Sequence, residues 1–93
     1  MRFEWDPRKA AANFRKHRVS LDEALTVFAD PLSDLYDDPD HSTAERRLIL
    51  MGYSNRGRLL FVSFADRGSN RIRIISARTV TKSERKQYEE RER

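Results

Sequence analysis

Apolar residues recur at helical spacing in the first third of the chain. Four of them stand at positions i, i+3, i+4 and i+7, which predicts an amphipathic helix: Leu21, Ala24, Leu25 and Phe28. The stretch Ser20-Leu-Asp-Glu23 matches a capping box, in which the serine caps the helix and the glutamate bonds back to it. Asp30-Pro31 is expected to end this helix. Asp6-Pro7 predicts the start of an earlier helix that continues to about His17.

The middle of the chain has the alternation that is typical of β-strands. Three segments are predicted as an antiparallel meander with turns at 55–57 and 67–70: residues 47–54, 59–65 and 71–78. Residues 32–36 are a candidate for a further short strand, and residues 3–5 for either a first strand or an apolar anchor. The acidic tract at 37–42 is predicted to be a loop.

A second capping box, Thr81-Lys-Ser-Glu84, predicts a C-terminal helix that carries Tyr88. The order of elements is therefore helix, helix, meander, helix. This order favours the α+β class in a single domain, residues 1–93. We expect two N-terminal helices, an antiparallel sheet of three to four strands with a possible extra N-terminal strand, and a C-terminal helix.

The charge is distributed in blocks. Residues 21–45 contain eight acids and no lysine or arginine, whereas residues 46–80 contain eight arginines and one acid. Arginine is preferred where phosphate or carboxylate is bound in a bidentate manner, although charged surface strands are the simpler interpretation of such a block. The chain has no cysteine, which excludes disulfides and thiolate metal sites. It also lacks an apolar leader or a membrane-length apolar run, so we expect a soluble, cytoplasmic protein.

The stretch RIRIISAR, residues 71–78, combines strand character with three arginines. In a regular strand Arg71 and Arg73 lie on one face, and Ile72 and Ile74 lie on the other. A second isoleucine at position 75 breaks the alternation, which predicts either burial of both faces or a β-bulge. One face of the sheet must bury against the helices. The other is expected to be partly open and lined by arginines, an electrostatic footprint suited to RNA.

No metal site, cofactor site or nucleophilic triad is predicted. The two histidines, His17 and His41, have no metal-ligand spacing, and the acids at 37–40 resemble no recognised calcium loop. The serines lack a nucleophile-elbow motif, and the glycines form no phosphate loop.

An arginine-lined face could also cleave RNA through attack of the ribose 2′-hydroxyl, which requires no metal. Such a reaction needs cations at the phosphate and groups that transfer protons. His17, Glu84 and Tyr88 are the candidates for proton transfer. Each has a structural alternative: Glu84 as the capping-box partner, His17 as a cation at a helix C-terminus, and Tyr88 as a packing residue. Arg78 could contact phosphate or pair with an acid.

Several motifs together resemble the BrnT-type toxins of bacterial type II toxin–antitoxin modules. They are FEWDPRKAAANFRKHRVSLDEALTVFADP, RGRLLFVSFADRG, and RIRIISAR followed by TKSERKQYEE, and they run over nearly the whole chain. The resemblance implies a RelE-like fold and a ribonuclease that arrests translation. It also implies neutralisation by a BrnA-type antitoxin with a ribbon-helix-helix domain, through which operator DNA is bound, in a complex expected to hold two toxins and two antitoxins.

The resemblance also implies site residues. It points to Arg73 and Arg78 on the last strand, Arg85 and Tyr88 in the terminal helix, and the pair Lys16-His17. With the candidates above, the expected catalytic set is Arg73, Arg78, Tyr88, His17 and Glu84, and the expected RNA-binding set is Lys16, Arg58, Arg67, Arg71 and Arg85.

One position departs from the family pattern, since Arg18 stands where the family commonly has glycine, and we expect a less strained turn there. The basic face would bind either RNA or an acidic segment of the antitoxin, but not both at once. The alternative function is a non-catalytic module that binds RNA, DNA or an antitoxin.

Overall fold

A five-stranded sheet with helices on both faces organises the part of the chain that the structure describes, residues 1–38 and 45–91 of a computed structural model. In chain order the elements are β1 (Arg2–Glu4), α1 (Pro7–His17), α2 (Leu21–Thr26), a 3-10 turn (Val27–Ala29), β2 (Asp34–Asp37), β3 (Arg46–Tyr53), β4 (Leu59–Gly68), β5 (Arg71–Thr79) and α3 (Lys82–Glu90). The three predicted helices, the meander and the short strand near residue 34 are confirmed. Most of the predicted acidic loop at 37–42, and His41 with it, lies outside the described residues.

The sheet differs from the expectation in the direction of one strand. Its strand order is β1-β5-β4-β3-β2, so the described residues form four antiparallel strands and the possible N-terminal strand, five in all. The short N-terminal segment is one of them, and it pairs with β5 in parallel, which makes the sheet mixed. Two parallel strands are joined by a long crossover rather than by a turn, so no local pattern in the sequence predicts this pairing.

Most of the core lies between the two N-terminal helices and the face of the sheet that they cover. We call this face of the sheet the helix face. Its buried members come from α2, the residue between the two helices, the 3-10 turn and the three central strands, and Ala10 of α1 packs against them: Val19, Leu21, Ala24, Val27, Leu48, Leu50, Leu60, Val62, Phe64, Ile72, Ile74 and Ala77. Trp5 packs against the edge of this cluster, so the N-terminal segment is both a strand and an apolar anchor.

The opposite face, here called the open face, is covered only in part. Helix α3 packs Tyr88 on Met51 and Leu59 at the hairpin end of β3 and β4. The other end of these strands carries arginines instead of a packed helix. Among the described residues, no helix packs on the end of this face that carries the arginines.

Strand β5 explains the broken alternation in RIRIISAR. Ile72 and Ile74 are buried in the core of the helix face, and Arg73 lies on the open face. Ser76 pairs with Ser63 and Ile74 pairs with Phe64, so Ile75 is left over as a β-bulge. Of the two predicted alternatives, burial of both faces or a β-bulge, the structure has the bulge. It keeps Ser76 and Arg78 on the same face as Arg73 although the spacing is odd.

The capping predictions are confirmed with one exception. The main-chain N–H of Arg8 donates to Asp6, and the box at Thr81 and Glu84 is complete in both directions. At Ser20 only the forward half forms, because the N–H of Glu23 donates to Ser20 while the Glu23 carboxylate turns away. The predicted return bond of Glu23 is wrong, since this carboxylate is taken up by a buried ion pair.

The turn after α1 is also tighter than expected. Arg18 adopts a left-handed conformation with φ 58° and ψ 31°, and its N–H donates to the carbonyl of Phe14 at 2.8 Å. The expected relaxation at this position is wrong. The αL cap ends the helix although the residue is not glycine. The left-handed backbone is therefore strained, because the Cβ atom of Arg18 lies too close to the following carbonyl oxygen.

Candidate functional site

Three arginines from three neighbouring strands meet at one carboxylate on the open face. Arg47 on β3 and Arg73 on β5 are both paired with Ala65 of β4, one on each side, so they lie in one row across the sheet. Arg73 donates to the carboxylate of Glu45, Arg67 donates to it at 3.3 Å, and Arg47 lies 3.7 Å from it. We call Glu45, Arg47, Arg67 and Arg73 the arginine cluster.

Positive charge is concentrated in the arginine cluster. Its three guanidinium groups share the carboxylate of Glu45, and their side chains are 29%, 34% and 32% exposed. Within the described residues, the Nε–H of Arg73 is buried and donates to no hydrogen-bond partner. Partly buried guanidinium groups are screened less by water than fully exposed ones, so this surface attracts anions strongly.

Arg78 and Glu84 form a second charged group on the open face, where Arg78 pairs with Phe61, four residues along β4 from the row of the arginine cluster. Two nitrogens of Arg78 donate to the two oxygens of Glu84 at 2.8 and 2.9 Å, and the guanidinium stacks 4.1 Å from the ring centre of Phe61. Glu84 also accepts from the N–H of Thr81. The Arg78 guanidinium, and then the Thr81 N–H, lower the pKa of Glu84 to about 2. Glu84 is therefore both the predicted capping residue and the partner of a site arginine.

Tyr88 is enclosed by the C-terminal segment. Its hydroxyl donates to the carbonyl of Leu32 at 3.0 Å, and its ring packs in the smaller core. The guanidinium of Arg91 lies 3.4 Å from the ring centre, and its Nε lies 2.7 Å from Asp34. The ring and the hydroxyl both have structural contacts, which agrees with the packing interpretation of this residue.

His17 and Lys16 line a cleft at the edge of β5. The cleft measures about 240 Å³ and is formed by residues of α1 on one side and the bulge on the other: Lys9, Ala12, Asn13, Lys16, His17, Ile75 and Ser76. The side-chain amide of Asn13 holds α1 against this edge, because it donates to the carbonyl of Ala77 and accepts from its N–H. Ser76 lines the cleft and also pairs with Ser63, so it connects the cleft to the open face.

The remaining predicted arginines lie apart from the cluster. Arg58 is at the hairpin end of the sheet, where its Nε donates to Glu23 at 2.9 Å. The Arg58 guanidinium holds the pKa of Glu23 below its ordinary value. Arg71 lies 3.4 Å from Glu4 on the parallel edge strand, and Arg85 is exposed on α3. The predicted site residues therefore fall into separate groups on the open face, at the β5 edge and at the hairpin end.

Sequence reasoning missed two members of the arginine cluster, Glu45 and Arg47. In β3, Arg47, Ile49 and Met51 are alternate residues and therefore lie on the same face of the sheet. Met51 packs against Tyr88 of α3, so this is the open face. Alternation could have placed Arg47 on this face. It could not have paired Arg47 with Ala65, because strand register is set by tertiary contacts and turn geometry. For Glu45, one residue outside the strand, no signal was available.

The described residues contain no group of three or more histidine or acidic residues that is placed to hold a metal ion. None of their helices has the length and apolar character needed to cross a membrane.

Comparison with known proteins identifies the family. The family model described as "Ribonuclease toxin, BrnT, of type II toxin-antitoxin system" matches residues 5–84. A search of curated proteins found no match. Among solved structures, the crystal structure of the Brucella abortus ribonuclease toxin BrnT superposes with a TM-score of 0.69 at 23% identity, covering 88% of this chain and 99% of that chain. This likeness supports the fold, and the family match spans most of the sequence; the chain belongs to the BrnT family of ribonuclease toxins of type II toxin–antitoxin systems.

Proposed function

We propose that this toxin is an endoribonuclease that binds the RNA backbone on the open face and cleaves it without a metal ion. The observation that carries the proposal is the meeting of Arg47, Arg67 and Arg73 at one carboxylate. A carboxylate and a phosphodiester each offer two charged oxygens to guanidinium groups, so a site that holds one suits the other.

In the proposed reaction the ribose 2′-oxygen attacks the adjacent phosphorus and the bond to the 5′-oxygen breaks. The 2′-hydroxyl proton passes to a base, and the departing 5′-oxygen receives a proton. The products are a 2′,3′-cyclic phosphate and a 5′-hydroxyl. Negative charge on the phosphorus oxygens rises in the transition state, and fixed guanidinium groups stabilise that charge more than they stabilise the bound substrate.

Of the three candidates for proton transfer, we assign the transfer of protons in this reaction to His17. Glu84 is a weak base, because its pKa of about 2 keeps it ionised and paired with Arg78. The Tyr88 hydroxyl already donates to a main-chain carbonyl. His17 lines the edge cleft together with Ser76, which belongs to the open face. RNA that lies along the open face would pass this cleft at the β5 edge.

The other predicted residues receive supporting roles in this proposal. Arg78, oriented by Glu84, is a second phosphate contact, while Arg71 on β5, Lys16 on α1 and Arg85 on α3 extend the basic footprint. Arg58 is assigned a structural role, because its Nε and one terminal nitrogen donate to Glu23 and to the carbonyl of Arg18.

A cleavage assay tests the proposal. Purified toxin is incubated with end-labelled RNA in EDTA, and the ends are examined for 2′,3′-cyclic phosphate. We expect cleavage in EDTA, and no cleavage at a position whose 2′-hydroxyl is replaced by hydrogen. Cleavage that disappears in EDTA and returns with Mg²⁺ would overturn the metal-free mechanism.

One observation favours the non-catalytic alternative, a module that binds RNA or an antitoxin. Glu84 and Tyr88 both have structural partners, which leaves His17 as the accessible proton-transfer candidate of the predicted set. Under this alternative RNA binds to the open face and stays intact in every buffer, while Arg73→Ala still weakens binding.

The partner of a type II toxin is an antitoxin, and we propose that it is of the BrnA type, with a ribbon-helix-helix domain that binds operator DNA. Two toxins and two antitoxins would form the complex, and free toxin would arrest translation. The antitoxin would inhibit by covering the open face. A crosslinking competition tests this: excess antitoxin should prevent crosslinking of RNA to the toxin, and retained crosslinking would contradict occlusion.

A further inference from the structure

We propose that the carboxylate of Glu45 occupies a phosphate subsite in the free toxin and must leave before an RNA phosphodiester binds there. The inference rests on the proposed function, because the subsite is one contact of the same open face. It adds Arg47 to the RNA-binding residues and gives the free protein an internal competitor for its own site.

The geometry distinguishes this subsite from an ordinary surface ion pair. Arg47 and Arg73 are separated by the whole width of β4, so their Cα atoms stand about 10 Å apart, at two strand spacings. Both nevertheless reach the carboxylate of Glu45, and Arg67 joins them from β4 itself. The residue between the two outer arginines is Ala65, whose small side chain leaves room above the sheet.

The charges of the cluster match a phosphate that is being cleaved. Three guanidinium groups converge on the carboxylate of Glu45, which concentrates positive charge at the subsite. Glu45 offers the same charge and number of oxygens as a ground-state phosphodiester. It cannot offer the further negative charge of the transition state, so the cluster stabilises the reacting phosphate more than it stabilises Glu45.

Glu45 is placed so that its carboxylate can leave without disturbing the sheet. It stands one residue before β3 begins, and its side chain is 25% exposed. The exchange replaces one set of charge-assisted hydrogen bonds by another, and the strands that carry the arginines remain paired.

The test measures binding separately from cleavage. Fluorescence anisotropy follows a labelled single-stranded 2′-O-methyl RNA, which keeps the phosphates but lacks the attacking hydroxyl. Glu45→Gln should bind it roughly three- to tenfold more tightly, because the arginines no longer have to release an internal anion. Arg73→Ala in the Glu45→Gln background should remove the gain.

Asp22→Asn is the matched control. It removes the same charge from an exposed position on α2, which covers the opposite face of the sheet. We expect its affinity to stay within about twofold of wild type. The inference is overturned if Glu45→Gln binds no more tightly than wild type, or if Asp22→Asn gains as much.

Cleavage of unmodified RNA by the same proteins separates the two proposals. If the wild type cleaves RNA while Glu45→Gln gains no affinity, the subsite inference fails and the proposed function stands. If Glu45→Gln gains affinity but neither protein cleaves RNA, the subsite stands and the proposed function fails. Unfolding midpoints of all variants, measured by circular dichroism, ensure that only folded proteins are compared.

Discussion

Arg78 donates two parallel hydrogen bonds, at 2.8 and 2.9 Å, to the carboxylate of Glu84, which also completes the capping box of α3. The side chain of Glu84 thus holds Arg78 of the candidate site in place and also caps the start of the C-terminal helix. The position of Arg78 on the open face therefore depends on the ionisation of Glu84.

This pair predicts a loss of stability in acid. The pKa of Glu84 is about 2, against an ordinary value of 4.5, so the folded state binds a proton less readily than the unfolded state. The stabilisation is complete above pH 4.5 and is lost as the pH falls towards 2. Between pH 5 and pH 2, the wild type should lose about 1–2 kcal/mol more unfolding free energy than Glu84→Gln, measured in urea. Equal losses would contradict this, and Glu89→Gln, exposed on the same helix, should behave like wild type.

Arg58 is predicted to affect stability rather than RNA affinity. Its partner Glu23 is 5% exposed and also accepts from the hydroxyl of Ser54 at 2.7 Å. Arg58→Ala leaves a buried carboxylate without its cation, which should lower the unfolding free energy by about 3 kcal/mol. Arg56, 69% exposed and 3.7 Å from the same carboxylate, provides the control, and Arg56→Ala should cost less than about 0.5 kcal/mol. A folded Arg58→Ala protein with normal stability and weakened RNA binding would return Arg58 to the RNA-binding set.

The sequence was informative where a structural feature depends only on residues that are neighbours along the chain. The alternation of Arg73 with Ile72 and Ile74 predicted which side chains enter the core, and the extra isoleucine at 75 indicated an irregularity there, for which a bulge was one of two interpretations. Both follow from the two-residue period of a strand, which needs no knowledge of the partner strand.

The sequence was uninformative where a contact joins distant segments. Glu23 has a good local partner in Ser20, yet its carboxylate turns to Arg58, 35 residues away. Glu45 meets Arg73 only because β3, β4 and β5 pair in one register. Local capping gains are about 1 kcal/mol, so a buried ion pair or a strand register can override them.

Arg18 is predicted to be a site of removable strain. Its φ of 58° is unfavourable for a residue with a Cβ atom. Its main-chain carbonyl accepts a hydrogen bond from Arg58 at 3.1 Å, and this bond is kept when the side chain is replaced. Arg18→Gly should raise the unfolding free energy by about 1 kcal/mol. Arg18→Ala removes the same side chain but keeps the Cβ atom, so it should bring no gain. If both variants stabilise the protein equally, the side chain rather than the backbone conformation is responsible.

Tyr88 is predicted to be dispensable for chemistry. Tyr88→Phe removes the bond to the Leu32 carbonyl, which still accepts from Arg91 at 2.6 Å. The unfolding free energy should fall by about 0.5–1.5 kcal/mol, and the cleavage rate of the folded protein should stay within about threefold of wild type. A loss of cleavage of a hundredfold or more in a folded Tyr88→Phe protein would show that the hydroxyl takes part in the reaction.

His17 is predicted to act on the chemical step, and its neighbour Lys16 on binding. Both line the edge cleft, so the two positions form a matched pair. His17→Asn should lower kcat by about a hundredfold or more, because general acid–base groups contribute at least that factor, while the affinity for 2′-O-methyl RNA stays unchanged. Lys16→Gln should weaken that affinity and its salt dependence, because one phosphate contact is lost, and leave kcat nearly intact. A purely structural His17, acting as a cation at the end of α1, would instead lower the unfolding free energy by about 0.3–1 kcal/mol and leave kcat unchanged. Single-turnover cleavage, anisotropy and urea unfolding of the two variants separate these outcomes, and an unchanged kcat in His17→Asn would overturn the assignment.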